Sequence, residues 1–147
     1  MVKVKIGNIL DAKEDIICHQ VNVQGIMGGG VAKQLASKYK LLEENYRFCC
    51  EMHLFDYELL KNSIYYFVTG KNIIANLFTQ KENFDTDYES MEKCFIHLKN
   101  LAINTKRSIA MPYKIGCGIA HGDWNIVYKI IKKVFCDCDV TLYKLEG

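Results

Sequence analysis

DIICHQV, from Asp15 to Val21, is a short and mostly apolar run that passes directly into a loop carrying Gly25, Gly28, Gly29 and Gly30. Nothing else constrains the chain as much. A continuous apolar run of this length reads as an interior strand covered on both faces, so other layers of structure must lie above and below it. Glycine loses more backbone freedom on folding than any other residue, so four of them within residues 25–30 require a cause. Either the loop makes tight turns with φ > 0, or something outside the chain must approach the main chain closely. The second cause would make the loop a binding site.

The rest of the chain supplies the covering layers. Val2, Val4 and Ile6 alternate with Lys3 and Lys5, the period-two pattern of a half-buried strand, closed by Gly7 and Asn8. After the glycine loop, Val31, Leu35 and Tyr39 with Ala32 and Ala36 fall at helical spacing, and a second helix is expected over Leu41 to Leu54. SIYYFVTG and NIIANLFT read as two strands joined by a turn at Gly70 to Asn72. Thr86 with Glu89 three residues on has the form of a capping box, ahead of a long helix whose core face is Met91, Cys94, Phe95, Leu98, Leu101 and Ala102. Arg107 to Met111 reads as a strand, PYKIGCGIAHGD as a second glycine-containing loop, and Asp139 to Leu145 as the closing strand. Between them Trp124, Val127, Ile130, Ile131 and Val134 form the buried stripe of another helix. Strands alternating with helices predict an α/β domain with a mixed, largely parallel sheet between helices. No linker, repeat or low-complexity segment divides the chain, so residues 1–147 read as a single domain.

Charge and cysteine usage exclude several classes. Nineteen basic residues against seventeen acidic ones leave a net charge of +2, which is no footprint for nucleic acid or an anionic membrane. An anionic ligand therefore has to be held by local groups. The seven cysteines include no CxxC pair, the four histidines are scattered, and several thiols sit inside apolar runs. This pattern speaks against a zinc site and for reduced thiols. The N-terminus opens directly on a strand and no apolar run reaches membrane-spanning length. The expectation is a soluble, cytoplasmic monomer without metal or cofactor.

Both glycine loops, Val23 to Gly30 and Pro112 to Gly122, follow an apolar strand and precede a helix. Ligands of open α/β sheets bind beyond the carboxyl ends of strands, where helix N-termini present unsatisfied N–H groups. Two such loops side by side can wrap a diphosphate with backbone donors alone. Neither familiar phosphate motif is present: Val31 and Ala32 stand where a P-loop has lysine and serine or threonine, and the ordered G-x-G-x-x-G is missing. Each loop taken singly is equally well a set of tight turns; the shared context favours anion binding.

GNIL, HQVNVQGIMGGGVAKQLASKY and MPYKIGCGIAHGDW, in this order, resemble the three signatures of the macro domain, an ADP-ribose-binding module. The resemblance extends over essentially the whole chain. It is closest to the branch that holds ADP-ribose 1″-phosphate phosphatases, terminal ADP-ribose glutamate hydrolases and an antitoxin that removes ADP-ribose from DNA. It implies a three-layer α/β/α fold and ADP-ribose or a derivative as ligand, with nucleic acid a partner only where it carries ADP-ribose. It also implies a hydrolase of ADP-ribose derivatives, the alternative being a non-catalytic ADP-ribose reader.

The same resemblance distributes roles. Asn8 stands where the family receives the adenine amino group, Ile9 adds a backbone N–H, and Tyr143 matches an aromatic that flanks adenine. Gly28, Gly29, Gly30 and Val31 map onto the first phosphate loop, and Ile115, Gly116, Cys117, Gly118 and Ile119 onto the second, where Cys117 reads as packing. Asn22 corresponds to an asparagine on the distal ribose and joins His121 and Asp123 as the catalytic set, an imidazole and a carboxylate able to activate water and protonate a leaving group. Each residue has a plainer reading: Asn8 as a turn residue, Tyr143 as core, Asn22 satisfying local backbone, Asp123 as the N-cap of the helix at Trp124, His121 pointing at solvent. His19 resembles a histidine of the phosphatase-like proteins but reads first as a satisfied core residue. The departures are Gln80 at the position of a lysine and Ala120 at that of an aspartate. Lys81 comes one residue later, which at a strand end turns a side chain to the opposite face. These losses weigh against lysine-dependent chemistry and favour the phosphatase branch.

Overall fold

The computed structural model describes residues 1–146. Six strands, β1 (Val2–Ile6), β2 (Ile16–Val21), β3 (Ile64–Val68), β4 (Ile73–Phe78), β5 (Ile109–Pro112) and β6 (Val140–Lys144), form one sheet in the order β1-β6-β5-β2-β4-β3. Only β3 runs antiparallel to its neighbour. Around the sheet lie α1 (Gly30–Lys38), α2 (Leu42–Met52), the short α3 (Tyr57–Leu60), α4 (Tyr88–Thr105) and α5 (Trp124–Val134).

Strand periodicity sorts the core into two layers. Ile16 and Cys18 point into one cluster with Met91, Cys94, Phe95 and Leu98 of α4 and Val127 and Ile131 of α5. Ile17 and Val21, one residue out of phase, point into the other with Leu35 of α1, Leu42, Tyr46 and Cys50 of α2, and Leu60 of α3. This is a three-layer α/β/α sandwich, as the alternation of elements implies. The seven cysteines are all free. Burial pushes the Cys50 thiol up to about 11 and the Cys94 thiol up to about 12, which keeps both protonated as apolar fillers.

Three local expectations are corrected. β1 is an edge strand paired only with β6, so Val4 and Ile6 are 49% and 57% exposed instead of facing a core; only Val2 packs inward. The cap of α4 is Asp87, whose Oδ1 accepts from Ser90 N at 3.1 Å. Thr86 instead turns its hydroxyl to donate to Gly116 O at 2.6 Å. The second helix stops at Met52 because Leu54 and Phe55 take φ of 59° and 51°, and α3 follows, capped by the Asp56 carboxylate, which accepts from Glu58 N at 2.9 Å.

Strand pairing positions the site. β2 pairs with β4 along its whole length, from Ile16↔Ile73 to Val21↔Phe78, but with β5 only at Ile16↔Ile109 and Ile17↔Ala110. Beyond Ile17 the two strands part, and β5 ends in Pro112, which has no N–H with which to continue a ladder. A crevice opens between their carboxyl ends. Among the described residues no helix is long and apolar enough to cross a membrane. Leu35 is fully buried under this crevice-forming half of the sheet. Leu35→Ala is expected to cost about 2–5 kcal/mol of stability, read from chemical denaturation.

Candidate functional site

The crevice is a cavity of about 570 Å³ with His19 and Val21 on β2, the first glycine loop on one wall and the second on the other. The walls face each other closely: a Cβ built on Gly29 would lie 3.4 Å from Cδ1 of Ile119. Gly29 has φ −158° and ψ 167°, extended backbone open to any residue, so its lack of a side chain answers to space and not to conformation. Gly116 and Gly122 answer the other way. Gly116 has φ +76° and a Cβ there would meet Met91 Cε at 2.8 Å, while one on Gly122 would lie 2.3 Å from Gly116 O. These two glycines let the second loop fold onto itself.

Bare donors line both walls. Among the described residues the N–H groups of Gly28, Gly29, Gly118, Ile119 and Ala120 have no hydrogen-bond acceptor. Gly30, Val31 and Ala32 are the first turn of α1, whose N–H groups lack intrahelical acceptors and lie at the positive end of the helix dipole. Lys114 is the single charged side chain among the described residues that line the cavity. The arrangement suits an anion held by main-chain donors. No group of three or more metal-ligating side chains occurs among the described residues.

Asn22 lines the cavity, and its side chain organises the loop: Oδ1 accepts from Gln24 N at 2.9 Å and from the Tyr46 hydroxyl at 2.7 Å, while Nδ2 donates to Ile26 O at 3.0 Å. Burial pushes the Tyr46 hydroxyl far above its usual range, so it remains a donor. Met27 N donates to Glu43 Oε2 at 2.6 Å, pinning the same loop to α2. Gln80, in the place of the family's lysine, donates from Nε2 to Phe84 O at 2.7 Å. Lys81 lies outside the cavity lining. Ala120 is buried, its carbonyl accepting from Thr86 N at 3.0 Å.

The remaining expected residues stand apart from this lining. Asp123 caps α5, accepting from Asn125 N at 2.9 Å. His121 is exposed, with φ +56° and Nδ1 3.3 Å from Asp85 Oδ1, a partner the sequence did not suggest. Neither lines the cavity. Cys117 packs beside the α4 and α5 core, with its thiol pushed up by burial. Asn8 accepts from Leu10 N at 3.0 Å, capping a 3-10 turn at Ile9–Asp11, and Ile9 is buried. Tyr143 is buried on β6 and donates to Glu14 Oε1 at 2.6 Å. Asn8, Ile9 and Tyr143 lie at the β1 and β6 end of the crest, outside the cavity lining.

Several cavity residues receive no site role from the sequence, Phe84 among them, and His19 reads there first as core. Phe84 takes φ +70° and lines the mouth; a loop residue in an irregular turn carries no periodic signal that could have marked it. His19 is 2% exposed on the floor, with Nε2 2.6 Å from Asn76 Oδ1. Burial drives its pKa from 6.5 down to about 4, against a smaller opposite effect of the Asn76 bond.

A layered sheet with paired, donor-lined loops at its crest defines an α/β domain whose crest suits an anion. No protein-family model matches the chain. An uncharacterized 17.5 kDa protein in the tk-vs intergenic region of Enterobacteria phage T4 is 34% identical over 137 residues, covering 88% of this chain and 86% of its own. An ADP-ribose 1″-phosphate phosphatase of Lodderomyces elongisporus is 29% identical over 145 residues, covering 91% and 89%. The macrodomain of Mycobacterium tuberculosis DarG superposes with a TM-score of 0.85 at 24% identity, over 97% of each chain. The chain belongs to the macro domain family.

The folded state holds His19 neutral and the unfolded chain protonates it near 6.5, so His19 contributes stability that is full above that pH and lost as pH falls towards about 4. Denaturation midpoints across this window should decline on acidification, and the decline should shrink in a His19→Gln variant. Asp123→Ala should cost about 1 kcal/mol of stability through loss of the α5 cap, measured by thermal unfolding.

Proposed function

We propose that this domain binds ADP-ribose, with the diphosphate lying between the two glycine loops. The observation that carries the reading is the pair of facing walls on which the N–H groups of Gly28, Gly29, Gly118, Ile119 and Ala120 have no acceptor among the described residues. A net charge of +2 and a lone cavity lysine leave main-chain dipoles as the main source of anion attraction. The fungal relative's name supplies the ligand class. Gly28, Gly29, Gly30 and Val31 hold one side of the diphosphate and Ile115, Gly116, Gly118 and Ile119 the other, while Asn8, Ile9 and Tyr143 are assigned to the adenine end.

Hydrolysis of an ADP-ribose derivative is the finer reading, with ADP-ribose 1″-phosphate as the favoured substrate. It is supported by the similarity to the fungal phosphatase and by Gln80, which is spent on Phe84 O and cannot do a lysine's work. The loops fix the diphosphate, Asn22 keeps the loop beside the distal ribose in shape, and much of the rate comes from holding the reacting bond in front of water. His121 and Asp123, both outside the cavity lining, are left the smaller share of proton transfer.

Calorimetry should give saturable ADP-ribose binding, and weaker binding of AMP, which lacks the distal half. Gly29→Val should abolish binding without loss of the fold, because extended backbone accepts valine and the new side chain fills the gap to Ile119; retained binding would remove the diphosphate from between the loops. Phosphate release from ADP-ribose 1″-phosphate, measured beside ADP-ribose release from glutamate-modified protein and thymidine-modified DNA, separates the hydrolytic branches. Asn22→Ala should impair turnover more than Asp123→Ala. Binding without turnover on all three substrates makes the domain a reader.

A further inference from the structure

Nδ1 of His19 is, among the described residues, the one buried side-chain nitrogen or oxygen without a hydrogen-bond partner. Buried polar atoms are nearly always paired, because leaving one unmet forfeits its hydration without return. Its surroundings fix what it lacks. Asn76 donates from Nδ2 to Tyr65 O at 2.8 Å and to Ile74 O at 3.3 Å, which leaves its oxygen as the end that meets His19. An amide oxygen only accepts, so the 2.6 Å contact requires the proton on Nε2. Nδ1 is then a bare lone pair. It needs a donor.

Position points to a ligand. His19 comes two residues after Ile17, the last β2 residue paired with β5, so it stands where the strands have parted, on the floor of the cavity. β4 has taken the other ring nitrogen. We propose that Nδ1 of His19 accepts a hydrogen bond from a ribose hydroxyl of the bound ADP-ribose, an inference that rests on the ADP-ribose reading above. The ligand's phosphates are acceptors and cannot serve the lone pair; they match the N–H groups of the walls. Its riboses flank the diphosphate on either side and carry O–H donors. The adenine amino group belongs with Asn8 and Tyr143, away from this floor. His19 thus complements the walls: they read acceptors and it reads a donor, so the cavity distinguishes a sugar diphosphate from a bare anion.

Two variants separate the ring nitrogens. His19→Gln keeps an N–H for Asn76 and has no acceptor at the Nδ1 position; His19→Asn sets its amide oxygen near the Nδ1 position and gives up Asn76. In calorimetry His19→Gln should weaken ADP-ribose by about tenfold, and His19→Asn by less than about threefold, the change expected for one hydrogen bond. ADP carries only the adenosine ribose: a parallel loss for ADP assigns the hydroxyl to that ribose, and an unchanged ADP affinity assigns it to the distal one. Equal affinities of wild type and His19→Gln, or equal losses in both variants, overturn the inference. If wild type itself fails to bind ADP-ribose, the ligand reading falls and this one with it. Nitrogen NMR of wild-type His19 gives a check that needs no variant. Its Nδ1 should resonate as an unprotonated nitrogen and move towards the hydrogen-bonded range on adding ADP-ribose; a protonated Nδ1, or one that ADP-ribose leaves unmoved, overturns it.

Discussion

Everything distinctive about this domain follows from one incomplete pairing. β2 spends its whole length on β4 and only its first two residues on β5. A sheet that continued its ladder past Ile17 would bring the two loops into the plane of the strands and leave no crevice. Because β5 turns away at Pro112 instead, the chain can leave both strands through glycine loops whose N–H groups face one another, and the same divergence strips His19 of a neighbour on that side. The cost falls on unpaired backbone and on one buried imidazole, groups that a core without a function would have satisfied.

The electrostatics are those of dipoles more than of charges. An anion site built from lysines would show in the composition, would pull nonspecifically on any polyanion and would weaken steeply with salt. Backbone N–H groups and the start of α1 have no such reach; their attraction falls off within a turn and depends on geometry. A net charge of +2 is consistent with a protein that discriminates by shape at the crest of its sheet.

The layered fold was legible because its signals are periodic. Ile16, Ile17 and Cys18 alternate between two cores, and Met91, Cys94, Phe95 and Leu98 repeat at helical spacing, so the pattern states what each residue faces. The loops were legible as loops, through glycine count and context. What sequence could not separate was why each glycine is there: Gly116 and Gly122 make room for the chain, while Gly29 keeps open the gap to Ile119. The edge position of β1 was hidden because alternation reports a potential face and not whether a helix covers it. Thr86 and Asp87 are both able caps, and only the pull of Gly116 O on the Thr86 hydroxyl decides between them. His19 reads as core by its neighbours; its unmet nitrogen is a property of two strands diverging, which no window of residues contains.

Each loop is fastened from behind. The first is held through the Asn22 amide, the Tyr46 hydroxyl and the Glu43 carboxylate. The second is held by Thr86, whose hydroxyl donates to Gly116 O and whose N–H donates to Ala120 O, and by Gly122 N on Gly116 O at 2.9 Å. These anchors come from α2 and from the approach to α4, elements that themselves sit on the two cores. A cleft built this way enters association already ordered, so little chain entropy remains to be surrendered when it fills. Its encounter rate is then set by diffusion and orientation instead of by waiting for a loop to close, and residence time becomes the quantity through which substitutions at the crest tune occupancy.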